Sequence, residues 1–119
     1  MYILLLRPAD RRRPARDERR YDVAMIRHIV LWRLKPEGRA RFPEIKSALE
    51  AQLGRIPGLL RVEVGQNIRP GRRAVDFALT CDFADLTSLE AYHKHPAHHE
   101  TRATVDPFIE DHWIADHEI

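Results

Sequence analysis

The sequence predicts an α+β domain with the element order β-α-β-β-α-β, and three observations carry that prediction. Ile26 to Leu34 is rich in β-branched and aromatic residues and ends in the turn-forming Lys35-Pro36-Glu37-Gly38. Phe42, Ile45, Leu49, Leu53 and Ile56 then recur at helical spacing. Two more strand-like runs, a proline-interrupted helical stretch and a final strand-like run follow. This order is the ferredoxin-like pattern, an antiparallel sheet with its helices on one face.

Each element has its own local reason. Alternation along the first strand puts His28, Val30, Trp32 and Leu34 on one face and Ile29 and Leu31 on the other. The helix is expected over residues 39–53, with Pro43 early enough for its missing N–H to be tolerated and Gly54 as its stop. Ile56-Pro57-Gly58 turns the chain into a strand from Leu60 to Ile68, and Arg69-Pro70-Gly71-Arg72-Arg73 connects it to a third from Val75 to Phe83. Asp85 caps a short helix through Leu86, Leu89 and Tyr92. Pro96 starts another turn of helix that Ala97 to Val105 continues. Asp106-Pro107 breaks it, and Phe108 to Asp116 is the last strand. His112 and His117 are expected off the face of Trp113, as edge or interface residues, with Trp32 and Trp113 in the core.

A chain of 119 residues supports one core rather than two. Residues 1–24 hold seven arginines against four acids, a net of +3, and the rest of the chain carries −1. The basic character therefore belongs to the leader, which argues against a nucleic-acid-binding domain. The five apolar residues at 2–6 are too few for a secretory segment and precede the basic block instead of following it. The leader is expected to be disordered, as an extension ahead of a start at Met25 or, alternatively, as a basic arm for an acidic partner or a targeting segment. The folded domain is 25–119. No apolar run approaches the roughly 20 residues that span a bilayer, and a cytoplasmic location is expected. The single cysteine, Cys81, excludes an internal disulfide and lies in an apolar run as a buried, inert thiol.

Both faces of the first strand are largely apolar, but the chain has helices for only one. The helix-free face is expected to be covered by a second copy, giving a homodimer.

Chemistry concentrates in Tyr92-His93-Lys94-His95-Pro96-Ala97-His98-His99, which holds four of the seven histidines. An enolate reaction needs a base poised near neutrality and a donor for the developing oxyanion. Histidine suits the first role and a tyrosine hydroxyl in an apolar pocket the second. His28 faces the same side and could meet Tyr92 and His98 across a pocket. The bland alternative has Tyr92 packing a helix end and His98 tying the His95-Pro96 turn. A metal held by His95, His99 and His28 is a further alternative, but no glutamate lies within the histidine pair and Pro96 disturbs the register. No metal and no cofactor are expected.

The opening Met25-Ile26-Arg27-His28-Ile29-Val30-Leu31-Trp32, the Ile56-Pro57-Gly58-Leu59 turn and the Tyr92-x-x-His95-Pro96-Ala97-His98 stretch resemble the stress-responsive α/β-barrel (Dabb) family. Asp116 fits the family's usual final strand, and the resemblance covers residues 25–118. It implies a dimeric α+β barrel. The family includes a plant polyketide cyclase that performs a cofactor-free aldol cyclisation. Its tyrosine and histidine of the Tyr-x-x-His-Pro-x-His pattern match Tyr92 and His98, and a first-strand pocket histidine matches His28. The leader, the hairpin loop and His99 have no counterpart in that pattern, and His117 stands where the family usually has tyrosine.

These readings converge on an apolar pocket for a small hydrophobic ligand, with proton-transfer or aldol-type chemistry on a polyketide-like or other small carbonyl compound. His98 is expected as the base, Tyr92 as the orienting donor and His28 as a supporting donor, with Trp32 and His95 as substrate contacts. The alternatives are a non-catalytic stress-response binding or scaffold protein and, by fold analogy, a cofactor-free monooxygenase.

Overall fold

A computed structural model of the chain describes residues 24–119, so the arginine-rich leader, apart from its last residue, lies outside the described residues. The elements are β1 (Ile26–Leu34), a 3-10 segment (Pro36–Arg41), α1 (Phe42–Glu50), β2 (Leu59–Gln66), β3 (Phe77–Phe83), α2 (Leu86–Lys94), α3 (Pro96–Val105), a 3-10 turn (Asp106–Phe108) and β4 (Ile109–Glu118). The strands form one sheet in the order β2-β3-β1-β4, with every neighbouring pair antiparallel. This is the ferredoxin-like arrangement expected from the element order.

The alternation in β1 holds. Ile26, His28, Val30 and Leu34 are buried under the helices, Trp32 is partly buried, and Leu31 is exposed on the opposite face. Ile45 and Leu49 of α1 pack with Val30, Phe77 and Leu79 of the sheet in one core. Each such side chain contributes roughly 1.5–3 kcal/mol by leaving water. Trp32 stacks on Phe77 with centroids 4.8 Å apart, and Phe42 covers the same ring at 5.2 Å.

The first helix departs from expectation. Residues 36–41 are 3-10, and α1 ends at Glu50 instead of Leu53. Once the chain leaves the helix there, Leu53 no longer lies on the inward face and is 48% exposed. Gln52 takes its place and is fully buried.

The outer face of the sheet is only partly apolar. Ile29, Leu31 and Ala115 lie at its centre, with Leu31 paired across the strands to Trp113. Trp113 is exposed here, with the Arg33 guanidinium 5.2 Å from its ring, and is not a core residue. At one end, Arg27 grips Asp82 through two hydrogen bonds of 2.8 and 3.1 Å, holding that carboxyl below the usual carboxylate range. Register also divides the two strand histidines. His112 pairs with Trp32 on the helix side, and His117 pairs with Arg27 on the outer side, the face of Trp113.

The turn into β2 is seated on the start of α2. Asp85 caps that helix by accepting from Ser88 N at 2.8 Å, and Ala84 N donates to Gly58 O at 2.9 Å. Gly58 has φ +83°, and a Cβ there would lie 2.2 Å from Ser88 Oγ. Gly54 has φ +89° with open space around it. Gly58→Ala is therefore expected to cost both backbone strain and overpacking, about 2–4 kcal/mol. Gly54→Ala should cost strain alone, about 1–2 kcal/mol. Urea unfolding of the two variants checks this, and equal losses would contradict the Gly58–Ser88 contact.

Candidate functional site

The break between the second and third helices builds the site. Pro96 has no N–H to continue α2, and His95 adopts an extended conformation with φ −73° and ψ 137°. Its Nδ1 accepts from Ala97 N at 3.0 Å, capping α3. The capped turn brings Tyr92, near the end of α2, against His98, in the first turn of α3, with ring centroids 4.0 Å apart. His28 meets Tyr92 from β1 at 6.0 Å, edge to face.

These rings form one end of a cavity of about 370 Å³. Its walls are apolar, from Val30, Trp32, Leu79, Leu49, Val105 and Ile114. Its mouth carries Arg102, Asp106, Glu110, Asp111 and His112. Arg102 is held by Asp106 through Nε contacts of 3.0 and 2.9 Å to the two carboxylate oxygens.

Two histidines in the cavity are held in opposite electrostatic settings. His28 Nδ1 lies 2.5 Å from Asp116 Oδ1, its direct cross-strand partner on β4. In neutral His28 the Nδ1–H donates to this carboxylate, which fixes the tautomer and leaves Nε2 with its lone pair. Among the described residues His98 has no anionic partner. Its Nδ1 lies 2.9 Å from Gln52 Oε1. Burial, and then the charges of Arg102, His93, His99 and His28, push it down to about 4. His98 is neutral near pH 7 and a weak proton acceptor.

Tyr92 is almost completely buried, which pushes its hydroxyl well above the usual phenol range despite a hydrogen bond with Gln52. It remains an O–H donor at neutral pH. Cys81, across the strands from His28, is pushed up by burial to about 12 and is inert as a nucleophile.

The structure thus brings His28, Tyr92, His98 and Trp32 together around one cavity, and it leaves His95 out. His95 is committed to the helix cap by its Nδ1 contact and does not line the cavity as a substrate contact. His99 Nε2 lies 3.1 Å from His93 O, so its ring is engaged by backbone. Among the described residues no cluster of three or more histidine, cysteine or carboxylate side chains is placed to hold a metal ion, and no helix is long and apolar enough to cross a membrane.

Four participants were not legible as such in the sequence. His93 lines the cavity, 5.7 Å from the His28 ring and 6.0 Å from that of His98. Asp116 needed the β1–β4 register, because its 88-residue separation from His28 carries no local signal. His112 needed the same register. Gln52 did leave a signal, since positions 45, 49, 52 and 56 are also helically spaced.

No curated protein matches the sequence. Among solved structures, a dimeric ferredoxin-like protein of unknown function from Bacteroides fragilis is 29% identical, with a TM-score of 0.72 over 80% of this chain and 96% of that one. A dimeric ferredoxin-like protein of unknown function from Thermobifida fusca is 24% identical, with a TM-score of 0.73 over 83% and 94%. A hydroxynitrile lyase from Passiflora edulis shares the fold at 18% identity, with a TM-score of 0.72 over 82% and 94%. Residues 26–119 match the stress responsive A/B barrel domain, Dabb, and the chain belongs to that family.

Proposed function

We propose that the cavity binds a small, mostly apolar carbonyl compound and transfers a proton on it without a cofactor, with His28 as the base. The 2.5 Å contact between His28 Nδ1 and Asp116 carries this reading. A carboxylate there orients the ring and balances the positive charge that Nε2 acquires on taking a proton. In the proposed step, Nε2 removes a proton from the carbon next to the carbonyl. The C–H electron pair becomes the C=C bond of an enolate, and the carbonyl oxygen takes the negative charge. Tyr92, a neutral O–H donor, is assigned to that oxygen. In an aldol-type reaction the enolate carbon attacks a second carbonyl, and imidazolium His28 returns its proton to the new alkoxide.

This reverses the roles expected from sequence. His98 was the expected base, but burial makes it a weak one, whereas His28 has a carboxylate behind it. His98 serves here as a neutral hydrogen-bonding group, and Trp32 as an apolar wall for the ligand. The hydroxynitrile lyase among the fold relatives supports catalysis on this fold without specifying the reaction of this chain.

We further propose that the outer sheet faces of two copies pair in a homodimer. Exposed Leu31 and Trp113 on this face, and the dimeric Bacteroides relative, support that arrangement. Leu31→Asp would place an uncompensated charge in the interface and should dissociate the dimer in sedimentation. A dimer of unchanged affinity would exclude this face as the interface.

The catalytic reading is tested by deuterium exchange into the methyl group of 4-hydroxyacetophenone in D2O, followed by NMR. Wild type should accelerate exchange, and His28→Ala should lose about 10²–10⁴-fold, the usual contribution of a positioned base. Asp116→Asn should lose rate without losing probe affinity, and His98→Ala should lose less rate than His28→Ala. Probe binding with no exchange in wild type would leave a binding protein in place of an enzyme.

A further inference from the structure

We infer that the inner end of the cavity is built to receive hydrogen-bond donors, and that Gln52 is the positioning residue responsible at His98. This inference rests on the proposed reading for the presence of a ligand, and it narrows the ligand to carbonyl compounds that carry a hydroxyl.

Gln52 follows α1, is fully buried, and has no access to water. Its Nε2 lies 3.2 Å from the carbonyl oxygen of Leu49. A carbonyl can only accept, so the amide nitrogen faces Leu49 with one N–H, the other N–H serves the Tyr92 hydroxyl oxygen, and Oε1 faces His98. Oε1 lies 2.9 Å from His98 Nδ1 and can itself only accept. The proton of neutral His98 therefore sits on Nδ1, and Nε2 keeps its lone pair. Neutral imidazole in water favours the opposite tautomer, so the preference is imposed by Gln52.

His28 arrives at the same state by another route. Its Nδ1 faces the Asp116 carboxylate, again an acceptor, and its Nε2 is left bare when the ring is neutral. Neither Nε2 has a protein partner among the contacts around these rings, and no buried side-chain nitrogen or oxygen among the described residues is without one. Both nitrogens therefore open onto the cavity that the two residues line. A ligand with only a carbonyl leaves at least one lone pair without a donor. A ligand that also carries a hydroxyl satisfies His98 and leaves His28 free to take a proton. Loss of a donor opposite a desolvated acceptor lowers affinity by roughly tenfold.

Two measurements on the full chain test this without relying on turnover. Imidazole 15N shifts should show His98 protonated at Nδ1 and bare at Nε2 at pH 6.5. At the same pH, 4-hydroxyacetophenone should bind roughly tenfold more tightly than 4-methoxyacetophenone, which keeps the carbonyl and lacks the donor. Gln52→Met should move the proton of His98 to Nε2 and reduce the difference between the probes to less than about twofold. Protonation of wild-type His98 at Nε2 would overturn the role of Gln52. Equal affinity for the two probes, or no binding of the hydroxy probe at millimolar concentration, would overturn the ligand class. The His98 tautomer and the affinity ratio are read without turnover, whereas the exchange experiment reports on His28 as a base.

Discussion

The contact between His28 Nδ1 and Asp116 Oδ1 is the interaction on which this site depends. It joins the central strand β1 to the edge strand β4 at a direct cross-strand pair, on the face covered by helices. It answers the cost of placing a histidine under the helices, because a buried ring nitrogen needs a partner. It also leaves the other nitrogen turned to the cavity. Packing and chemistry are thus set by the same bond, and the one-residue alternation of β4 decides both. A slip of one residue would put Ala115 or His117 opposite His28 and turn Asp116 to the outer face.

A second constraint comes from the break at His95-Pro96. A continuous helix would carry Tyr92 and His98 on different faces, since six residues advance the helix by more than one and a half turns. Ending α2 and restarting with a capped turn rotates α3 so that both rings reach one cavity, 4.0 Å apart. His95 is consumed in making that turn, through its Nδ1 bond to Ala97 N. Gln52 then ties the turn after α1 to α3 across 46 residues of sequence. The cavity end is therefore fixed from three sides by polar bonds, while its walls remain apolar and able to accept a ligand.

The fold was largely legible because it depends on local patterns. The alternation of β1, the Asp85 cap and the proline break at 96 each act within a few residues, and each appears where the sequence puts it, whereas α1 stops at Glu50, ahead of Gly54. The site was legible only as a list of residue types. His28, Tyr92 and His98 could be named, yet their roles depended on partners that register and tertiary packing supply. Asp116 raises His28 from a supporting donor to the proposed base, and burial beside Arg102 weakens His98. The error at Leu53 has the same origin: periodicity gives a stripe, but the point at which the helix ends decides whether residue 52 or 53 belongs to it. Trp113 lies on the outer face of an edge strand, which the chain's own helices do not cover.

The central claim is that His28 and Asp116 act as a bonded unit, and a double-mutant cycle measures that directly. Stabilities from urea unfolding of wild type, His28→Ala, Asp116→Ala and the double variant give the coupling between the two side chains. Hydrogen bonds to charged groups contribute about 1.5–3 kcal/mol, and the side chain of Asp116 is 34% exposed, which weakens the bond by solvent screening. A favourable coupling of about 1 kcal/mol is expected. Additive losses, with a coupling below about 0.3 kcal/mol, would contradict it.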